Sequence, residues 1–120
     1  MYEDFGLISI IMAAYNSEKT IELAIDSVLK QTFTNFELLV VNDCSSDHTE
    51  AIVRKIAERD TRVRLINSEK NCGVSVARQR GLSVAKGDWI AILDSDDAWD
   101  HAKLEKQVAL QQKVNADLLF

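Results

Sequence analysis

Residues 7–12, 37–41 and 89–93 are apolar almost without interruption. A strand with one wet face alternates, so near-continuous runs of this length read as strands buried on both faces. Residues 63–66 do alternate, which suits a strand nearer an edge. Helical patterns lie between these runs. Ile21, Ala24, Ile25, Val28 and Leu29 recur at spacings of three and four, and Ile52, Val53, Ile56 and Ala57 do likewise. Asp47 and Glu50 are placed to form a capping box ahead of the second set. Val74, Ala77, Gly81, Leu82 and Ala85 mark a third helical face. A fourth helix is expected over residues 101–114, with Leu104 and Val108 inward. Alternating β and α elements call for right-handed crossovers. The fold class expected is therefore α/β, a doubly wound, mostly parallel sheet with helices on both faces. Residues 116–120 open a fifth apolar run, and the chain is expected to be the N-terminal part of a longer protein.

The chain's 120 residues are enough for one domain with a proper core. A net charge of −5 argues against a general nucleic-acid binder, which carries a basic surface. No apolar run approaches the roughly 20 residues of a membrane helix, so no membrane span is expected. The first residues hold no basic segment ahead of an apolar one, and no secretory signal is read. Cys44 and Cys72 fit neither a disulfide framework nor a zinc spacing. Reduced thiols in a cytoplasmic protein is the plain reading, with a disulfide between the two as the alternative.

The run at 89–93 ends without a spacer in Asp94-Ser95-Asp96-Asp97. Three carboxylates at one strand end repel one another, and a hard divalent cation bound by oxygen ligands relieves the repulsion. Mg²⁺ or Mn²⁺ held in this way keeps several waters and takes further ligands from phosphate, which points to a metal–diphosphate site. One Asp would serve as a helix cap; three exceed that need. Ligands of open α/β sheets bind beyond the carboxyl ends of the strands. The other unusual polar residues fall there too: Tyr15 and Asn16 after the first strand, Asn42 and Asp43 after the second, Asn67 and Asn71-Cys72-Gly73 after the third. Tyr15 offers a ring for stacking on a base, or is a packing group. Asp43 can accept a base N–H, or belong to the turn chemistry of residues 43–47. Gly73 precedes a helix whose N-terminus can meet an anion. Arg78 can reach phosphates or base edges, or be a solvated cation. Arg80, His48 and His101 read as surface or cap residues, and Trp89 and Trp99 as packing groups. No GxGxxG follows the first strand and no GxxxxGK[ST] occurs, which removes the main support for dinucleotide and P-loop readings.

In order and spacing, ISIIMAAYN at 8–16, FELLVVNDCSSD at 36–47, NCGVSVARQRG at 71–81 and GDWIAILDSDD at 87–97 resemble the motifs of family 2 glycosyltransferases. The resemblance covers essentially the whole chain. It implies a GT-A nucleotide-binding fold, with residues 1–120 as the nucleotide-sugar-binding part, cut before the acceptor-binding part. It implies an inverting, metal-dependent transfer from a nucleoside-diphosphate sugar, UDP-linked by default, to an acceptor hydroxyl in glycan or polysaccharide synthesis. By position it puts Tyr15, Asp43 and Arg78 at the base and Asp94 at the ribose or metal. It puts Asp96 on an Mg²⁺ or Mn²⁺ ion bridging the diphosphate, with Asp97 as a helper. The glycan or lipid-linked acceptor would be bound by the downstream part, which would also supply the carboxylate base, so no catalytic residue is assigned within this chain. The place implied is the cytoplasm, at the cytoplasmic face of the membrane for the full-length protein. The chain departs from the family pattern at Ala13, where proline is common, at Asn42, where a first Asp is frequent, and at Cys44, where Gly is usual. The last departure predicts a changed loop after the second strand, because only glycine takes positive φ freely. Two rivals are a nucleotide-binding module that transfers nothing and an Asp-x-Asp phosphatase, whose motif belongs on the first strand rather than the fourth.

Overall fold

The computed structural model describes residues 5–114; the fifth strand expected at 116–120 lies outside them. Four strands alternate with four helices among the described residues: β1 (Ile8–Ala14), α1 (Ile21–Leu29), β2 (Phe36–Asn42), α2 (Thr49–Arg59), β3 (Val63–Asn67), α3 (Val74–Val84), β4 (Trp89–Ile92) and α4 (Lys103–Val114). The sheet order is β3-β2-β1-β4, and every pairing is parallel. β1 pairs with β2 from Ile8↔Phe36 to Ala14↔Asn42 and with β4 from Ile8↔Trp89 to Ile11↔Ile92.

Both faces of the central strands are buried, which is why their sequences do not alternate. Ile8, Ile10, Met12 and Ala14 pack with Phe36, Leu38 and Val40 beneath α1, α2 and α4, through Ile21, Ile25, Val28, Val53, Ile56, Leu104 and Val108. On the other face α3 crosses β1 and β2. A Cβ at Gly81 would stand 2.8 Å from Ile11 Cγ2, so glycine is what allows this helix to lie directly on the strands. Each fully buried aliphatic side chain contributes roughly 1.5–3 kcal/mol of transfer free energy.

Three expectations are corrected. β4 is not buried on both faces: it is an edge strand among the described residues, α3 covers β1 and β2 instead, and Ile92 is 42% exposed. The inward face of α3 is narrower than its periodicity suggests. Ala77 and Gly81 are buried, whereas Val74 and Leu82 are exposed and Ala85 is the C-cap. Close approach at the small residues turns the larger ones aside. The capping box does not form. His48 occupies the N-cap of α2 without a side-chain cap bond, and Glu50 pairs with Arg54 one turn on at 2.7 Å.

One polar residue interrupts the first apolar run for a reason. Ser9 is fully buried and donates to Glu37 Oε2 at 2.6 Å, while the Gly87 N–H donates to Ser9 Oγ at 2.8 Å. Lys86 N–H reaches the same Glu37 oxygen at 2.7 Å. This knot holds the turn before β4 against the start of β1 and so sets where β4 delivers its last residues. A Cβ at Gly87 would lie 2.5 Å from Ser9 Oγ and 2.7 Å from the Leu7 carbonyl oxygen. Gly87→Ala is expected to cost about 2–3 kcal/mol through this overpacking, read as a lower urea midpoint at unchanged slope. An unaltered midpoint would refute the role given to the turn.

Candidate active site

The chain order reverses at β1: β2 and β3 lie to one side of it and β4 to the other. Beyond the carboxyl ends of these strands, where ligands of such sheets bind, lies a cleft of about 630 Å³. The β1–α1 loop lines it with Tyr15, Asn16, Ser17 and Thr20, and the end of β2 adds Asp43. The β3–α3 loop brings Asn71, Gly73 and Val74, and the end of β4 brings Asp94, Ser95 and Asp96. Residues some 80 positions apart in sequence thus share one opening because all four strands run the same way.

Tyr15 is half exposed, leaving ring surface open at the mouth. Asp43 is the opposite, only 3% exposed. Its Oδ1 accepts the Cys72 N–H at 3.0 Å and its Oδ2 accepts the Gly73 N–H at 2.8 Å. Gly73 is the N-cap of α3 and sits at φ +93°, a conformation other residues adopt only under strain. The carboxylate therefore ties β2 to the head of α3 and satisfies two of its backbone donors. Each carboxylate oxygen has a second lone pair left for another donor.

Arg78, one turn into α3, donates to Asp94 Oδ1 at 2.9 Å. With Asp94 more than half exposed, this pair is worth less than about 1 kcal/mol and exchanges readily for a better partner of either charge. Asp96 lines the cleft, is exposed, and makes no hydrogen bond or ion pair to any described residue. Asp97 turns its Oδ1 back onto the Ala98 N–H at 2.9 Å. No group of three or more His, Cys, Asp or Glu side chains is gathered as a cage among the described residues. Hard oxygen donors, one of them unengaged, fit a small divalent cation that takes one or two carboxylates and completes its shell from phosphate and water.

The loops beneath the cleft are knitted by side chains. Asn16, at φ +47°, receives the Ser46 N–H on Oδ1 at 2.8 Å, and its own N–H donates to Ser45 Oγ at 2.9 Å. Asn42 donates through Nδ2 to Asn67 Oδ1 at 2.9 Å and accepts the Ser45 N–H at 3.1 Å. An aspartate at 42 has no donor for the first of these bonds. Cys44 takes φ +60°, the left-handed conformation expected of a glycine, at a cost on the order of 1 kcal/mol. Asp47 Oδ1 accepts from the N–H and the hydroxyl of Thr49 at 2.9 and 2.6 Å, and Oδ2 accepts the Glu18 N–H at 3.2 Å. Burial pushes the Asp47 carboxyl up, but the bonds from Thr49 and Glu18 outweigh it and hold the group below the usual carboxylate range.

The cleft gathers Tyr15, Asp43, Asp94 and Asp96, with Arg78 attached through Asp94; Asp97 faces its own backbone. Ser17 and Thr20 belong to the cleft and were not singled out in the sequence. The signal for them is weak, because Ser and Thr ahead of an apolar helix read as capping residues.

The sequence model of the family described as "Glycosyl transferase family 2" matches residues 9–120. The UDP-Glc:alpha-D-GlcNAc-diphosphoundecaprenol beta-1,3-glucosyltransferase WfgD of Escherichia coli is 46% identical over 117 residues, covering 98% of this chain and 46% of that protein. The putative teichuronic acid biosynthesis glycosyltransferase TuaG of Bacillus subtilis is 41% identical over 114 residues, with 95% of this chain and 45% of that protein covered. The chain spans a little under half the length of these relatives. The crystal structure of S. aureus TarS 1-349 in complex with UDP-GlcNAc superposes with a TM-score of 0.83 at 34% identity, over 88% of this chain and 31% of that one. The mannosyltransferase PcManGT from Pyrobaculum calidifontis, in complex with GDP-Man and Mn²⁺, gives 0.81 at 27% identity, over 87% and 32%.

Because the folded-state pKa of Asp47 is depressed, its contribution to stability is complete above the unfolded value of about 4 and is lost as pH falls through the folded value. Asp47→Asn should lower stability by about 1 kcal/mol at neutral pH, and the gap to the parent should close in acid. Urea midpoints of both proteins across this range provide the check; a gap that stays constant with pH contradicts it.

Proposed function

The chain belongs to glycosyl transferase family 2 and has the GT-A nucleotide-binding fold, and on that premise we propose that its cleft binds the nucleoside-diphosphate part of a sugar donor. The protein then takes part in an inverting, metal-dependent transfer of that sugar to an acceptor hydroxyl in glycan or polysaccharide synthesis. The observation that carries this reading is the convergence of Tyr15, Asp43, Asp94 and Asp96 on one opening at the reversal point of the sheet. UDP is the nucleotide proposed first.

Each residue has work suited to its surroundings. Tyr15 offers its ring to the base. Asp43, held rigid by two backbone N–H groups, accepts a base N–H on a remaining lone pair. Asp94 faces the ribose or the cation, and Arg78, paired with Asp94, would reach the base or, on leaving that pair, the diphosphate. Asp96 holds Mg²⁺ or Mn²⁺, with Asp97 as a second donor after a side-chain rotation. The cation, when bound, neutralises charge on the departing nucleoside diphosphate. Asp96 and Asp94 would thus hold the cation that offsets the leaving group's charge, and deprotonation of the acceptor falls to a carboxylate in the acceptor-binding part downstream. The cytoplasm is the proposed location; no described helix is long and apolar enough to cross a membrane.

Titration calorimetry with UDP, with and without Mn²⁺, tests the reading. Mn²⁺ is expected to tighten binding at least tenfold, about 1.4 kcal/mol, and Asp96→Ala to abolish that gain while leaving the protein folded. Folded protein that binds UDP equally well without metal, or an Asp96→Ala variant that keeps the metal effect, would sink it.

A further inference from the structure

We infer that Thr20, seconded by Ser17, is a positioning residue that sets where the acidic loop at 94–97 presents its carboxylates; the inference rests on the donor-site reading above. Thr20 occupies the N-cap position of α1. A threonine there ordinarily accepts a first-turn N–H on its hydroxyl, a bond worth about 1 kcal/mol. Thr20 makes no such bond. Its Oγ1 instead donates to the Ser95 carbonyl oxygen at 2.9 Å, with only a long 3.4 Å contact to the Ser17 carbonyl. Ser17 Oγ lies 2.7 Å from Ser95 Oγ. The residue between Asp94 and Asp96 is therefore gripped through both its carbonyl and its hydroxyl, from positions 75 and 78 residues away.

This grip matters because Asp96 has no partner of its own among the described residues. No bond to its side chain determines where its carboxylate stands, so the backbone of residues 94–97 does, closed into a turn by Asp97 N–H to the Asp94 carbonyl at 3.1 Å. Further along, the same segment runs back over α1. Trp99 N–H donates to Ser27 Oγ at 3.1 Å, Gln31 Nε2 donates to the Asp100 carbonyl at 2.6 Å, and Leu104 N–H donates to Gln31 Oε1 at 3.0 Å. Those anchors hold the strap at a distance from the cleft, and Thr20 and Ser17 hold its end beside Asp96. Groups hydrogen-bonded to metal ligands typically contribute about 10–100-fold to metal affinity; Thr20 acts one step removed, through the carbonyl of the Ser95–Asp96 peptide bond, which puts its expected effect at the low end of that range.

Two readouts test the assignment. The first is calorimetric affinity for UDP with and without Mn²⁺ in the parent, Thr20→Val, Thr20→Ser and Ser27→Ala. Thr20→Val should weaken Mn²⁺-dependent binding about tenfold, well beyond any loss of metal-free UDP binding. Thr20→Ser should restore the parent value, and Ser27→Ala should lower thermal stability without weakening the metal effect. The second is amide hydrogen exchange without ligand, which should speed up in Thr20→Val at Asp97, whose N–H closes the turn onto the Asp94 carbonyl. Parent-like metal dependence in a folded Thr20→Val, equal loss of metal-free binding, or unchanged exchange at Asp97 overturns the inference alone. A parent protein with no metal-dependent UDP binding overturns the donor-site reading and the inference with it. Should Thr20→Val not fold, Ser17→Ala removes the hydroxyl pair to Ser95 and carries the same expectations.

Discussion

β1 is hydrogen-bonded along both flanks, over all seven residues to β2 and over four to β4, and nearly all of it is out of water. A strand in that position can satisfy its backbone only if both neighbours are in register. Parallel register in turn requires each crossover helix to pass back over a face of the sheet. The placement of α1 and α2 on one face and α3 on the other follows from this, and so does the reversal of direction at β1. The cleft is the space that the reversal leaves open. Chain leaves β1 toward β2 on one side, while β4 arrives on the other from across the molecule.

Above that frame the cleft depends on polar side chains more than on packing. Asp43 ties the end of β2 to the head of α3, Asn42 ties it to Asn67, and Asp47 ties the start of α2 to the start of α1. These loops carry positive φ at Asn16, Cys44 and Gly73, conformations that persist because several bonds over-determine them. The acidic loop is held from α1 in the same manner. The charged groups proposed to meet a ligand are thereby left with weak partners or none among the described residues: Arg78 and Asp94 share an exposed pair, and Asp96 has no partner there. Rigid loops with loosely committed charges suit a site that takes up a charged ligand without rearranging its frame.

Much of the fold was legible because burial on both faces leaves a plain trace. Residues 37–41 fall within Phe36–Asn42, 63–66 within Val63–Asn67, and the face of α1 is the one its spacing implied. What misled was local pattern without knowledge of the neighbour. The run at 89–93 looks like a central strand, yet β4 lies at an edge of the described sheet. Val74 and Leu82 fit the helical stripe of α3, yet Gly81 brings the helix so close to Ile11 that contact is confined to small residues. Asp47 and Glu50 have the spacing of a capping box, yet each finds a nearer partner, Thr49 and Arg54.

The sequence by itself determined the α/β class, the parallel sheet and the rim on which Tyr15, Asp43, Asp94 and Asp96 stand. Apolar periodicity and strand-end position are properties of the chain alone. Only the tertiary structure decided which of those residues are buried and bound and which are free. Asp43 accepts from Cys72 and Gly73, Arg78 answers Asp94, and Thr20 leaves its own helix to hold Ser95. A hydroxyl or carboxylate takes whichever donor or acceptor lies nearest in space. For residues 75 positions apart, that neighbour exists only once the strands have been ordered.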